Sequence, residues 1–291
     1  MNNIDLHVHS NASDGTLTPA EVVTTAIAQN LSAFALTDHD TIQGVEEALQ
    51  TAASAAQEGH VVKVIPGTEL SVGYKGRDIH ILGLYLDIHN PDLIEFLDSA
   101  SRNRIERNRK MVENLKNAGI PITMEDLTCE NHEAVITRAH FANHLVKVGA
   151  VKTKDDAFRR YLDASTPYYV PREFFKPEDA IDMIHRAGGV AVLAHPLLYK
   201  YNRTQVEKLV IYLKELGLDG IEVMYSMNTD ADEYFVRNLA RRQNLLMTGG
   251  SDFHGANKPL IQLGRGRGKL AIPHEYIEKI EEYLAARNHQ N

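Results

Sequence analysis

The sequence predicts an α/β protein built on a mostly parallel sheet with helical crossovers, and three features predict it. Short apolar runs suited to strands buried on both faces alternate with amphipathic helical stretches. The alternation stops in the middle of the chain and then resumes. Histidines and carboxylates fall at the ends of the apolar runs, the rim where an α/β barrel gathers its functional groups. At 291 residues the chain can bury a substantial core as one large domain, or as one domain with an insertion.

The first strand opens the chain. Ile4, Leu6 and Val8 alternate with Asp5, His7 and His9, so the two imidazoles share one face and the apolar side chains the other. Imidazoles projecting in parallel suit a metal ion. Ser10, Asn11, Ser13, Asp14 and Gly15 then form a turn that sets Asp14 just past the strand. Thr18-Pro19-Ala20-Glu21 reads as an N-cap, a proline at the first helical position and acid in the first turn. Residues 33–37 are a buried strand ending in Asp38-His39-Asp40, followed by a helix over 42–58. A third strand, 61–65, runs on through Pro66-Gly67 to Glu69. A fourth, 79–87, carries His80 near its start, and for that residue to join the others this strand must run antiparallel or fold back to the rim.

From 92 to 118 the pattern is helical and strongly charged, and short helices are expected over 137–148 and 154–162. The reading divides the chain into a first barrel segment (1–99), a helical insertion (100–170) and a second barrel segment (171–291). Alternation resumes with a helix over 177–187 stopped by Gly188-Gly189, then a strand over 190–194 ending in His195-Pro196. A helix (204–216), a strand (219–223), a helix (231–242) and a strand (245–248) follow. The last of these strands leads into Gly249-Gly250-Ser251-Asp252-Phe253-His254, and a helix over 274–286 closes the chain.

Composition narrows the partners. A formal charge of −8 argues against broad capture of extended double-stranded nucleic acid, which needs a basic surface, but leaves room for a local basic pocket. No apolar run approaches the roughly 20 residues of a membrane span. The single cysteine, Cys129, excludes an intramolecular disulfide and a thiolate-rich metal site. A cytoplasmic protein with no targeting segment is expected.

The nine groups His7, His9, Asp14, His39, Glu69, His80, His195, Asp252 and His254 contain no sulfur, which suits divalent manganese, zinc or iron. They exceed the needs of one ion and suit two or three. Asp5 and Asp38, adjacent to these groups, would either orient imidazoles or cap strands and turns.

In order along the chain, DLHVHSNASDG, LTDHDT, GTELS, the lone His80, LAHP and GSDFHG resemble the motifs of the PHP (polymerase and histidinol phosphatase) family, across residues 5–255. The resemblance implies a distorted (β/α)7 barrel with a helical insertion and a trinuclear site, with manganese the first choice of metal. On that pattern His7, His9, Glu69 and Asp252 would hold one ion. Glu69 as a bridge, with His80 and His195, would hold a second, and Asp14, His39 and His254 a third. Arg104-x-x-Arg107, TRAHFANHLV at 137–146 and FRRYL at 158–162 resemble small bacterial PHP enzymes that remove the 3′-phosphate from 3′,5′-bisphosphonucleotides such as pAp. Some of these also trim short 5′-phosphorylated RNA from its 5′ end.

The chemistry of the insertion agrees. Arg104 and Arg107 share a helical face and could clamp a phosphate, with Arg138 and His140 as further donors, whereas Arg102, Arg109 and Lys110 read as a solvated face. Arg172 is a weaker candidate for the site. The expected activity is thus a metal-dependent phosphoesterase with Asp14, His195 and His254 in catalytic roles. The alternatives are a 5′→3′ exoribonuclease, a histidinol-phosphate phosphatase, an amidohydrolase-type C–N hydrolase and a metal-binding scaffold without catalysis.

Overall fold

The computed structural model describes residues 3–127, 135–171 and 174–288, so Cys129 and Arg172 lie outside the described residues. Strands β1 (Asn3–Val8), β2 (Leu31–Leu36) and β3 (Lys63–Tyr74) pair in parallel in chain order. β4 (Arg77–Leu84) folds back antiparallel to β3 and also pairs antiparallel with β5 (Val190–Leu193). β6 (Gly220–Tyr225) and β7 (Leu246–Gly250) continue in parallel from β5. The residues after β7 then close the curve at one end: Asp252 N–H donates to His7 O at 2.9 Å and His9 N–H to Phe253 O at 3.0 Å. The result is a nearly closed barrel, with a two-residue strand β8 (Ile272–Pro273) lying antiparallel to β1. The expected distorted barrel is therefore present, and the antiparallel β4 is what brings His80 to the common rim.

Local chemistry explains most boundaries. α1 (Pro19–Ala28) starts at Thr18, whose hydroxyl accepts from Glu21 N–H while the Glu21 carboxylate accepts from Thr18 N–H, a reciprocal capping box. α2 (Val45–Gln57) begins three residues later than expected, because Gly44 precedes it with no side-chain cap. β3 and β4 share a long hairpin, and β3 runs through Pro66 and Gly67 without a break. A Cβ at Gly67 would lie 2.8 Å from Gly83 O, so only glycine allows that approach.

Helices α1 and α2 cover one outer flank, where Phe34 and Leu36 pack against Val22, Val23 and Ala48. α6 (Pro177–Arg186), α7 (Arg203–Glu215) and α8 (Asp230–Arg242) cover the other, over Leu70, Ile81, Leu193 and Ile221. The barrel interior holds Ile4, Leu6, Ala33, Ile65, Leu82 and Val192, and Tyr276, Ile277 and Ile280 of α9 (Glu275–Asn288) pack against it. α9 crosses the end of the barrel opposite the rim, where Tyr85, Asp219 and the carbonyls of Gly188 and Gly189 meet Glu281, Tyr283 and Arg287. β1 is buried from Ile4 to Val8 and not on one face alone, since the curl of the sheet encloses both sides of it.

Between β4 and α6, helix α3 (Pro91–Asn117) runs unbroken through residue 100. Its first half packs Leu93 and Leu97 on the barrel. Its second half joins α4 (Arg138–Lys147) and α5 (Lys154–Ala157), extended by a π-helical turn over Phe158–Leu162, around a separate core of Met111, Leu115, Phe141 and Leu145.

Asp219 ties the closed end together. Its carboxylate accepts from Ala191 N–H at 2.8 Å, from His185 Nε2 at 2.7 Å and from Tyr283 OH at 2.5 Å. Burial would raise its pKa, but the His185 and Tyr283 hydrogen bonds hold it below the usual 3.8. Asp219→Asn should destabilise the fold by about 2 kcal/mol at neutral pH, read by urea unfolding. Because the folded pKa is depressed, that difference is present above pH 3.8 and shrinks as pH falls through the folded value.

Candidate active site

The rim end of the barrel gathers all nine predicted metal-site groups around one carboxylate. Glu69, fully buried on β3, points Oε2 at His7 Nε2 (3.3 Å), His9 Nε2 (3.2 Å) and His39 Nδ1 (3.0 Å). Its Oε1 meets His80 Nδ1 at 2.7 Å and His195 Nε2 at 2.9 Å. Asp252 Oδ1 approaches His7 Nε2 and His9 Nε2 at 3.7 and 3.5 Å, completing a four-atom set with Glu69. On the far side of His9, Asp14 Oδ1 lies 3.1 Å from His254 Nε2 and 3.9 Å from both His39 Nε2 and His9 Nδ1.

Sharp turns at the strand ends make this convergence possible. Asp40, His195 and Asp252 adopt φ of 52°, 25° and 58°, values that cost backbone energy outside glycine and that gather at functional sites. Gly250 lets β7 approach β1, since a Cβ there would lie 2.1 Å from His7 Cβ.

The donor set fits divalent metal ions, and the test is in its unpaired atoms. His7 Nε2, both ring nitrogens of His9, Asp14 Oδ1, His39 Nδ1 and Glu69 Oε2 are buried without a hydrogen-bond partner. Buried polar atoms are ordinarily satisfied, so a cluster of orphans facing one another asks for cations between them. Three subsets have donor atoms within 4.8 Å of one another: His9–Asp14–His39–His254, His7–His9–Glu69 and His39–Glu69–His80. All three differ from the expected grouping, the second by lacking Asp252. His9 joins the Asp14 set, and His39 stands beside His80 where His195 was expected. Burial would keep Glu69 and Asp252 neutral, but imidazoles beside Glu69, and Lys258 and His254 beside Asp252, hold both pKa values well below the carboxylate range.

The residues that orient these donors are others than the two carboxylates beside them in sequence. Asp5 and Asp38 do not orient imidazoles. Asp38 accepts from Ser10 N–H, Ser10 Oγ and Ser13 Oγ, and Asp5 from Ser251 N–H, Ser251 Oγ and Gly264 N–H, so both fasten turns. Burial outweighs those bonds at Asp5 and lifts its pKa to about 6. The imidazole of His7 is instead held by Glu222, whose Oε1 lies 3.1 Å from His7 Nδ1 while Oε2 accepts from His195 N–H at 2.7 Å. Glu222 sits inside a short apolar strand with no motif around it, so nothing in the sequence singled it out. Tyr225 OH and Lys258 Nζ, equally unforeseen, donate to Asp252 Oδ2 at 2.8 and 2.6 Å.

Above the cluster lies a cavity of about 340 Å³. Asp14, His39, His80 and His254 form its floor, and Arg104, Arg107, Arg138, Lys154 and Lys258 add a cationic wall. Arg104 and Arg107 are buried, unlike Arg102, Arg109 and Lys110, which lie exposed in surface ion pairs with glutamates. Arg104 pairs with Asp40, itself fixed by Ser71, and Arg107 Nη1 donates to Asn108 Oδ1 at 3.0 Å. Arg138 stacks over Tyr169 with its guanidinium carbon 5.9 Å from the ring centre. His140 is placed differently. Its Nδ1 accepts from Thr137 N–H at 3.0 Å, capping α4, and it does not line the cavity. Thr137 itself donates to Asp14 Oδ2 at 3.2 Å, which joins the insertion to the floor.

Residues 5–175 match the PHP domain family. The chain is 42% identical over 256 residues to the 3′,5′-nucleoside bisphosphate phosphatase of Chromobacterium violaceum, covering 87% of this chain and 88% of that one. It is 36% identical over 269 residues to the 5′-3′ exoribonuclease Rnm of Escherichia coli, covering 92% and 89%. Among solved structures, a protein from Bifidobacterium adolescentis assigned as a metal-dependent phosphoesterase superposes with TM-score 0.83 at 30% identity, covering 95% and 94%. An amidohydrolase from Chromobacterium violaceum, with bound sulfate and no metal, gives 0.81 at 41% identity, covering 90% of each chain. Fold, site and relatives together define a metal-dependent phosphoesterase. More particularly, the chain belongs to the PHP family.

Among the described residues, no helix is long and apolar enough to cross a membrane. Divalent manganese at about a hundred times its Kd should raise the melting temperature by about 5–10 °C. Glu69→Gln, which removes the shared charge, should lose most of that gain and much of the metal retained after desalting, measured by plasma mass spectrometry.

Proposed function

We propose that this enzyme removes the 3′-phosphate from 3′,5′-bisphosphonucleotides such as pAp, giving AMP and phosphate. The observation that carries the reading is the pairing, in one cavity, of a His/carboxylate floor with a cationic wall built largely from the insertion. A substrate with two phosphates has a use for both surfaces. The floor would take the phosphate that reacts, and the wall the one that does not. The 42% identical phosphatase from Chromobacterium violaceum supports the same reading.

We assign the metal ligands as His7, His9, Glu69 and Asp252 for one ion, Glu69, His80 and His195 for a second, and Asp14, His39 and His254 for a third, with manganese the first choice. When bound, such ions would activate water as the nucleophile and absorb charge on the phosphoryl oxygens. The chain's own groups do the rest. Arg104, Arg107 and Arg138 would grip the 5′-phosphate with forked hydrogen bonds, and Arg104 is already oriented by Asp40. His140, through the capping bond of its Nδ1, would position Thr137 and Arg138 and so act on substrate indirectly.

Water's oxygen forms the new bond to phosphorus, the P–O3′ bond breaks, and O3′ departs with a proton. His254 is the better placed of the two candidate acids. Its Nδ1 lies 2.9 Å from Asp252 O, which can only accept, so the resting proton sits on Nδ1 and Nε2 faces Asp14 and the cavity. Nε2 is also the atom that would ligate the third ion, so ligation and donation to O3′ compete at this residue. His195, by contrast, is turned beneath the floor toward Glu69.

A second reading, 5′→3′ exoribonuclease action on short 5′-phosphorylated RNA, is favoured by the identity to the Escherichia coli enzyme. It breaks the same P–O3′ bond, releasing a 5′-mononucleotide and an RNA shortened by one residue that carries a new 5′-phosphate. Phosphate release from pAp, assayed with manganese beside histidinol phosphate and a short 5′-phosphorylated RNA, tests both. Rapid release from pAp alone would establish the phosphatase, and activity on RNA alone the nuclease. Silence on all three with metal retained would overturn the phosphoesterase substrates and return a scaffold role. Asp14→Ala or His39→Ala should abolish turnover, and Arg107→Ala should lower kcat/KM for pAp about 10–100-fold, the loss of a charged hydrogen bond.

A further inference from the structure

We propose that Phe158, on the aromatic side of the active-site cavity, is the platform on which the nucleobase of the substrate stacks. This rests on the phosphoesterase reading and deepens it, by naming what holds the part of the nucleotide that neither the floor nor the cations take.

Phe158 opens the FRRYL segment, whose residues take no part in the metal floor or the cationic wall. It lines the cavity above the floor, as do Tyr169 and Phe174. An exposed apolar side chain needs no explanation by itself. What sets Phe158 apart is where its exposure lies. The residue is 37% exposed, while Ala157 before it and Leu162 after it are wholly buried in the separate core that α3, α4 and α5 share. Three bonds fix its position. Thr153 caps α5, its hydroxyl accepting from Asp156 N–H at 3.2 Å. Lys154, one turn before Phe158 and so on the same face, donates to Asn257 Oδ1 at 3.0 Å, and Asn257 Nδ2 donates to Asp14 O at 2.8 Å. The helix then widens, with Asp163 N–H bonded back to Phe158 O at 2.8 Å, a π-turn of the kind that recurs at functional sites. Phe158 is thus set beside the rim loop that carries His254. Phe174 bounds the same cavity from the barrel. Gly73 N–H donates to Phe175 O at 2.9 Å and Phe175 stacks on Phe96 with ring centres 3.9 Å apart, which holds that segment on the β3–β4 hairpin.

A 3′,5′-bisphosphonucleotide offers three parts on one ribose. The floor takes one phosphate and the arginines the other. The base leaves from C1′, across the sugar ring from the C3′ and C4′ atoms that carry the phosphate arms, so it needs a surface apart from both. Beyond the cations, the large side chains left on the wall are aromatic. A phenylalanine ring binds the π-face of a base without reading its edge, and it adds no charge beside a site crowded with cations and carboxylates. The stack is the same before and during cleavage of P–O3′, so it acts on binding and not on the chemical step.

The test compares kcat/KM for pAp with that for 1-deoxyribose 3,5-bisphosphate, which keeps the sugar ring, the 2-hydroxyl and both phosphates and lacks only the base. It uses the wild type, Phe158→Ala, Phe158→Leu and Phe158→Tyr, all metal-loaded. The wild type should favour pAp about 10-fold, in the range of one base stack. Phe158→Ala and Phe158→Leu should bring that ratio close to one through a higher KM for pAp, and Phe158→Tyr, which keeps the flat ring, should keep the ratio. Each ratio is taken on one preparation, so partial misfolding of a variant cancels. If the enzyme acts on RNA instead, the same comparison uses a 5′-phosphorylated dinucleotide with and without its first base, since that residue carries the same two phosphates on one ribose. A wild-type ratio near one, a ratio that survives in both Phe158→Ala and Phe158→Leu, a loss carried by kcat, or a ratio lost in Phe158→Tyr would overturn the base site while leaving the phosphoesterase standing. Inactivity on the substrates with and without the base, with metal retained, would overturn the phosphoesterase reading itself.

Discussion

The structure turns on one buried carboxylate. Glu69 lies wholly out of water in the barrel, and taking a charge out of water costs several kcal/mol unless it is compensated. Compensation comes from five imidazoles supplied by four strands, β1, β2, β4 and β5, and the turns that follow them. None of those side chains could be kept there by apolar packing, and several retain buried nitrogens with no hydrogen-bond partner. A protein arranged only for stability would fill this space with hydrocarbon. Barrel curvature, the reversal at β4 and the positive φ angles at Asp40, His195 and Asp252 all serve the convergence around Glu69.

Stability is supplied at the other end. The apolar interior of Ile4, Ile65, Leu82 and Val192 is closed by α9, and Asp219 joins strand, helix and closing helix through a satisfied carboxylate. The two buried acids make the contrast plain. Asp219 has each of its bonds made within the protein, whereas Glu69 Oε2 and Asp14 Oδ1 have no hydrogen-bond partner. Folding strength and reactivity thus occupy opposite ends of the same strands, the usual division in an α/β barrel.

The helices between β4 and α6 convert the rim into a chamber. They carry their own hydrophobic core, so they hold a fixed shape, and Thr137 ties them to Asp14 while Asn143 and Lys154 tie them to Asn257 at the rim. Arg104 and Arg107 are buried because they face inward over the floor. Their neighbours Arg102, Arg109 and Lys110, on the same helix, point to water and pair with glutamates. Like-charged residues on one helix thereby acquire different surroundings.

How much of this was legible in the sequence depends on the kind of interaction. Period-two alternation marked β1, and apolar runs marked β2, β5 and β7, because strand burial is written in adjacent residues. Eight of the nine rim groups were legible for the same reason, each sitting at or just past the end of such a run, with His80 the exception at the start of one, and the i, i+3 spacing of Arg104 and Arg107 announced their shared face. The late start of α2 and the unbroken passage of α3 through residue 100 were not legible, since boundaries depend on caps and packing. Glu222 was invisible, because its partner His7 lies 215 residues away and such a pair has no local signature. Asp5, which adjacency had offered as an aid to imidazoles, proved to fasten Ser251 and Gly264. Which residues stand at the rim was thus determined by the sequence alone, through local periodicity. Which of them face one another, and which groups orient them, was decided only by the tertiary structure, because closing the barrel sets distances between residues that the chain keeps far apart.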